Sequence, residues 1–140
     1  VVVTPCVGGR AILARLPSGL ELTKWHPVRD TARRWRFPNL IGTEVIRAIA
    51  AVYNLVLDRA HELEVSGTRA ITLGHGLKGP VVEHAYWGGE AVLKDLRRLP
   101  GWAEGRVVLD AADAGRRAVE AEAAASAPRA PMARLAAAGA

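Results

Sequence analysis

The stretch "LTKWHPVR", residues 22–29, holds two side chains whose types and spacing suit work on an amide bond. Thr23 and His26 stand three positions apart, with Pro27 directly behind the histidine. An imidazole with a pKa of about 6.5 can hand a proton to a departing amide nitrogen, and a threonine hydroxyl can anchor the backbone beside it. Side chains three apart on a strand point to opposite faces, so the pair converges only where the strand ends or bends between them. Pro27 brings no backbone N–H to a ladder, and an ending there is expected. The competing reading of the same residues is structural: a packing histidine at a strand end.

The remaining histidines, His61, His75 and His84, could be read with Asp58 or Glu83 as zinc ligands. Their spacings of fourteen and nine residues include no His-x-x-x-His pair, so the pattern permits a metal without pointing to one. No metal or other cofactor is expected. His84, beside Tyr86 and Trp87, reads as a loop histidine packed on an aromatic ring. Cys6 is the single cysteine, which excludes an internal disulfide framework and any multi-cysteine zinc site. It reads as a small buried residue inside a strand, and a reducing, cytoplasmic setting is the default. The glycines and lysine of "GHGLKG", residues 74–79, lack the G-x-x-x-x-G-K-[ST] order of a phosphate loop.

These residues must be carried by short strands. "VVVTPC" and "AILARL" are apolar runs, and "PSG" at 17–19 is a turn with a preset proline and a free glycine. "LELTKWHP" then alternates as the second strand of a hairpin, stopped by Pro27. Residues 29–44 read as a polar loop. In "VIRAIAAVYNLVLD" the alanines favour helix and the β-branched and aromatic residues favour strand. At least "AVYNLVLD" is expected to be extended. "HELEVSG" and "TRAITLGHG" complete three consecutive strands over 51–76, with Ser66 and Gly67 as the tight turn. "GGEAVLKDLRRLPGW", 88–102, places Val92, Leu96 and Leu99 on one helical stripe that ends at Pro100 and Gly101. "GRVVLD" reads as a last strand, and the alanine-rich residues 111–140 are expected to be a frayed helix and then a disordered tail.

At 140 residues and 50% apolar, the chain can build one domain with a core. No run reaches the roughly 18 apolar residues of a membrane-spanning helix, and no membrane partner is expected. The opening "VVVTPCVGGR" shows no signal-peptide pattern; it reads as a strand already under way, in a fragment or a processed product. The net charge of +5 raises nucleic-acid binding. Its one dense cluster, "RDTARRWR" at 29–36, is better read as a solvated basic loop, because acidic residues are interleaved elsewhere. Trp25, Trp35, Trp87 and Trp102 are dispersed, without the basic interleaving of a base-stacking platform. The oligomeric state is not legible.

Residues 52–102, from "VYNLVLDRAHELEVSG" through "TRAITLGHG" to "GPVVEHAYWGGEAVLKDLRRLPGW", resemble the C-terminal half of Hint domains. These are the autoprocessing modules shared by inteins and Hedgehog-like proteins. The likeness is nearest to Hint domains of eukaryotic proteins that also carry a von Willebrand A domain, and it extends over about residues 1–108. It implies a mainly β, horseshoe-like fold over 1–110, here lacking its N-terminal block, with one short helix at 89–99. It also implies an N-to-S or N-to-O acyl shift acting on the protein's own flanking polypeptide. "LTKWHPVR" is similar to the block that activates the scissile amide, with His26 protonating the leaving nitrogen and Thr23 orienting the bond. His61 matches the histidine of the F block, and His75 the penultimate histidine that in inteins promotes asparagine cyclisation. Asp58 is a weaker candidate for tuning a histidine.

Two features depart from the family pattern. Its nucleophile is a Cys or Ser at the head of the domain, several tens of residues before the activating block. Here Cys6 lies only seventeen positions before Thr23, and Gly76 rather than Asn follows His75. The expected product is therefore a module for cleavage rather than splicing, inactive without its nucleophile. A non-catalytic β-rich interaction module on the same scaffold is the alternative.

Overall fold

The computed structural model describes residues 1–110 and, beyond them, residues 112, 113, 116, 119, 120 and 123. The expectation of a frayed helix and disordered tail at 111–140 falls largely outside the described residues. Among those described the fold is mainly β, with ten short strands in three sheets and one helix of seven residues. No described helix is long and apolar enough to cross a membrane.

Two apolar runs near the N-terminus form β1 (Val2–Pro5) and β2 (Arg10–Arg15). The ambiguous alanine-rich run supplies their partners, β6 (Thr43–Ala48) and β7 (Ala51–Asn54). β2 pairs antiparallel with β6 from Arg10↔Ala48 to Arg15↔Thr43, and β1 pairs with β7 from Val2↔Asn54 to Pro5↔Ala51. One long ribbon therefore bends at its middle. The bend is a 3-10 turn, Val7–Gly9, in which Gly8 and Gly9 take φ of 64° and 65°. Such angles cost glycine little and other residues more. Backbone bonds from Cys6 N to Ala50 O (2.8 Å) and from Ile49 N to Gly9 O (3.0 Å) stitch the bend closed. Cys6 thus lies just after β1, half-buried, and not inside a strand.

The hairpin expected from the "PSG" turn forms, but its second strand is short. β3 is Glu21–Leu22, paired with β2 at Ala14↔Leu22 and Arg15↔Glu21. Arg15 and Arg47 converge on the Glu21 carboxylate at 2.8 and 2.7 Å and hold its pKa down to about 2. The bonds from Arg47 contribute most to that shift, then those from Arg15.

The third sheet has the order β5-β4-β9-β8. β8 (Glu62–Val65) and β9 (Thr68–Ile71) form a hairpin closed by Ser66 and Gly67 at φ of 50° and 72°, the left-handed pair that matches strand twist. β4 (Val28–Arg29) reaches into the stretch 29–44 read as a polar loop, and β5 (Trp35–Arg36) lies inside it. A one-turn helix, α1 (Pro38–Ile41), follows them and opens with Pro38 at its first position, where no N–H is needed. The loop reading failed because its strands are two residues long and carry arginine, so no apolar alternation marks them. Arg29 is held there by a 4.3 Å stack on the Trp35 ring and by two bonds to Glu62, at 3.3 and 3.1 Å. Trp25, 44% exposed, sits edge-on to Phe37 at 5.3 Å.

Helix α2 is Glu90–Leu96, shorter than the stretch 88–102 from which it was read. Its stripe is as expected: Val92 and Leu96 are buried and Leu99, past the helix, packs on the same cluster. That cluster joins α2 to Val2 of β1, Leu73 and Val107, with Tyr86, Trp87 and Trp102 at its rim. β10 (Val107–Val108) pairs parallel to β1, which binds the C-terminal segment back to the start of the chain. A second cluster, Leu16, Val28 and Ala70, sits under the third sheet.

Candidate functional site

"TKWH" is a turn, not a strand. The strand stops at Leu22, and the amide of His26 donates to the carbonyl of Thr23 at 3.2 Å. This i-to-i+3 closure brings the two α-carbons within about 7 Å and removes the divergence that an extended run would impose. The reading of these residues as strand is corrected: the strand ends before Thr23, and a turn carries both residues.

The His26 ring donates through Nε2 to the carbonyl oxygen of Ile71 at 2.8 Å. A carbonyl can only accept, so that nitrogen carries the proton. Burial pushes the His26 pKa below its ordinary value, opposed by the Ile71 bond and then by a hydrogen bond with the Asn54 side chain. An amide can offer its N–H to a neutral ring or its oxygen to an imidazolium, so Asn54 suits either state. Asn54 ends β7 opposite Val2.

Thr72, the next residue after Ile71, reaches His61. Its amide and its hydroxyl both donate to the His61 carbonyl, at 2.9 and 3.2 Å. Ala60 and His61 are both left-handed, with φ of 67° and 43°, a conformation that costs a non-glycine residue about 1–2 kcal/mol. The Nδ1 of His61 is buried and has no hydrogen-bond partner.

His75 follows two residues after Leu73, whose side chain belongs to the main core. Its ring, 7% exposed, accepts from the Leu77 amide through Nδ1 at 2.9 Å, which leaves the proton on Nε2. Two glycines shape its seat. A Cβ on Gly88 would stand 3.0 Å from His75 Nε2, and one on Gly74, at φ 66°, would stand 2.6 Å from Leu93 of α2. The helix thus packs directly on the backbone beside the histidine. Burial lowers the His75 pKa most, followed by the nearby charges of His61 and then His26. Three of the four predicted site residues are therefore electrostatic neighbours, and the fourth, Thr23, shares a turn with one of them.

Other candidates lie elsewhere. Asp58 is exposed and pairs with Arg59 at 3.8 Å. The Nδ1 of His84 accepts from the amides of Tyr86 and Trp87 at 3.1 and 3.0 Å, closing the turn before α2. Among the described residues no group of three His, Cys, Asp or Glu is placed to hold a metal ion. Sequence reasoning missed Asn54, Thr72 and the Ile71 carbonyl. The one signal was Asn54, a polar residue interrupting an apolar run; Thr72 and a main-chain oxygen carry none.

A ribbon bent on itself, a turn presenting Thr23 and His26, and a hairpin leading into His75 define the horseshoe of a Hint domain. The model of the Vint family, described as a Hint-domain, matches residues 1–122, and the chain belongs to that family. A search among curated proteins found no match.

The lowered histidine pKa values give a pH dependence of stability. Above about 6.5, the ordinary histidine value, both rings are neutral whether the chain is folded or not. Below it the unfolded chain takes up protons that folded His26 and His75 refuse, so stability falls as pH drops from there toward their lowered folded values. Each ring contributes at most about 1.4 kcal/mol per pH unit. Glu21, Glu62 and Asp30 are held below their ordinary values, and their loss of stability begins only at lower pH. The melting temperature is expected to fall between pH 7.5 and 5.5, and less in His75→Gln. A flat parent curve over that interval would contradict the assignment.

Proposed function

We propose that this Hint domain performs a self-catalysed peptide-bond rearrangement of the intein and Hedgehog type on its own flanking polypeptide. The observation that supports it is the convergence of His26, His61 and His75 on residues 71–75, with Thr23 in the turn that carries His26. At neutral pH His26 has no spare proton to give, because burial keeps it neutral. The proton must come from the nucleophile.

A thiol or hydroxyl attacks the carbonyl carbon of the preceding peptide bond while its proton passes to the unprotonated nitrogen of His26. The tetrahedral intermediate then breaks its C–N bond, and His26 returns that proton to the departing nitrogen. A thioester or ester and a free amine result. Thr23 orients the amide. Water or another nucleophile releases the fragment, and since Gly76 follows His75, asparagine cyclisation is not part of the proposal. We infer that the nucleophile is a Cys or Ser outside residues 1–140, so that these residues alone do not cleave. We also infer a reducing, cytoplasmic setting, from the single cysteine, and a von Willebrand A domain in the same protein, from the resemblance of residues 52–102.

A second reading keeps one observation on its side. The 2.8 Å bond to Ile71 is also what a purely structural histidine would make, in a non-catalytic interaction module. The full-length protein containing these residues, incubated with dithiothreitol or hydroxylamine near neutral pH, separates the two. Cleavage at a single Cys or Ser junction, read by intact-mass spectrometry, is the expected outcome. A chain intact under both reagents selects the interaction module.

A further inference from the structure

We propose that Thr72 is a positioning residue for His61: its amide and hydroxyl together clamp the His61 carbonyl and hold that residue, and with it the ring, in its left-handed conformation. The proposal rests on the autoprocessing reading for its functional meaning, but its geometry stands independently. Two donors from one residue meet one acceptor, at 2.9 and 3.2 Å. The amide bond continues the β8–β9 pairing by one step past Glu62↔Ile71, so any residue but proline at 72 could supply it. The hydroxyl bond requires a threonine or serine there.

The clamp has something to resist. Ala60 and His61 are successive non-glycine residues at positive φ, and each returns to a commoner backbone region if released. Thr72 is 2% exposed, so water does not compete for its hydroxyl. The segment is also fixed on both sides: Ile71 donates to Pro27 and accepts from His26, and Gly74 donates to Trp87 at 2.9 Å. Residues 71–75 therefore act as a short rod that touches His26 with one residue and His61 with the next, and carries His75 at its end. Through the clamp, the position of His61 depends on the same rod that sets the other two rings.

The test uses histidine-labelled protein, with imidazole nitrogen resonances followed across a pH titration. Thr72→Val keeps the shape and the amide but removes the hydroxyl; Thr72→Ser keeps the hydroxyl. In Thr72→Val the His61 signals are expected to shift and broaden, and His75 to titrate at higher pH as the neighbouring charge moves off. Thr72→Ser is expected to overlay the parent. Adding Thr72→Val to His61→Ala is expected to leave His75 where His61→Ala alone puts it, since both act through one ring. Should Thr72→Val not fold, the same spectra are taken on Thr72→Val with Ala60→Gly, where glycine lowers the cost of the left-handed turn but the hydroxyl is still missing. Unchanged His61 signals and an unchanged His75 midpoint in either folded variant would overturn the proposal. Because no readout here uses cleavage, a full-length protein left intact by both dithiothreitol and hydroxylamine, together with a moved His61, would refute the autoprocessing reading and leave the clamp in place.

Discussion

Replacing His26 by alanine is expected to slow thiol-induced cleavage of the full-length protein by about 10²–10⁴-fold, the usual worth of a positioned acid–base group. The size follows from the two jobs proposed for the ring, accepting the nucleophile's proton and returning it to the leaving nitrogen. Its attachment makes the test clean. The ring hangs from a turn and is held by one bond to Ile71 and one with the Asn54 side chain, while the strand beyond it is held separately by Val28↔Ala70 and Val28↔Arg36. Losing the bond to the Ile71 carbonyl costs about 1–3 kcal/mol if that oxygen finds no water. Rates are therefore compared well below the melting temperature of the variant. The pH profile adds a second check. A neutral ring must act first as a base, so the parent rate is expected to rise with pH through the lowered His26 pKa and then level off. A His26→Ala protein that cleaves as fast as the parent would remove His26 from the chemistry.

The largest expected effect on stability comes from Gly101→Ala. Gly101 has φ of 88°, and a Cβ there would lie 2.0 Å from the carbonyl oxygen of Arg106 and 3.1 Å from its carbon. Both obstacles are backbone, and the Arg106 amide already donates to Gly101 at 2.9 Å, so the turn cannot open without losing its own closure. The same turn delivers Val107 to β1, where it pairs with Val2 and fills the core beneath the site. A loss of about 4 kcal/mol or more is expected, in the range reserved for strain at special backbone positions. Gly105→Ala is the matched control. Gly105 has φ of 74° but nothing within 4 Å of a built Cβ, so only the conformational cost of about 1–2 kcal/mol applies. Urea midpoints that fall equally in the two variants would show that the Arg106 contact is not what matters.

The two expectations lie at opposite ends of what could be read from the chain. His26 announced itself through residue type and neighbours. Gly101 was legible as a helix stop after Pro100, but not as a point of backbone contact five residues ahead. The same division runs through the fold. The β8–β9 hairpin followed from Ser66 and Gly67 because a two-residue left-handed turn has few sequence solutions. The α2 stripe followed from Val92, Leu96 and Leu99 because helical periodicity is local. β4 and β5 did not, since strands of two residues have no period to detect and owe their existence to pairing, β4 with β9 and β5 with β4.

By itself the sequence determined the candidate side chains, the turns that separate the strands, and the apolar runs that must be buried. Each depends on covalent type or on near neighbours along the chain, where sterics and solvation act without knowledge of the whole. Tertiary structure alone decided that "TKWH" closes as a turn, that Asn54 meets His26, and that Thr72 holds His61. Those contacts span 28 and 11 residues of chain and use an amide, a hydroxyl and main-chain carbonyls, groups common enough that their partners are chosen only by where the packed sheets bring them.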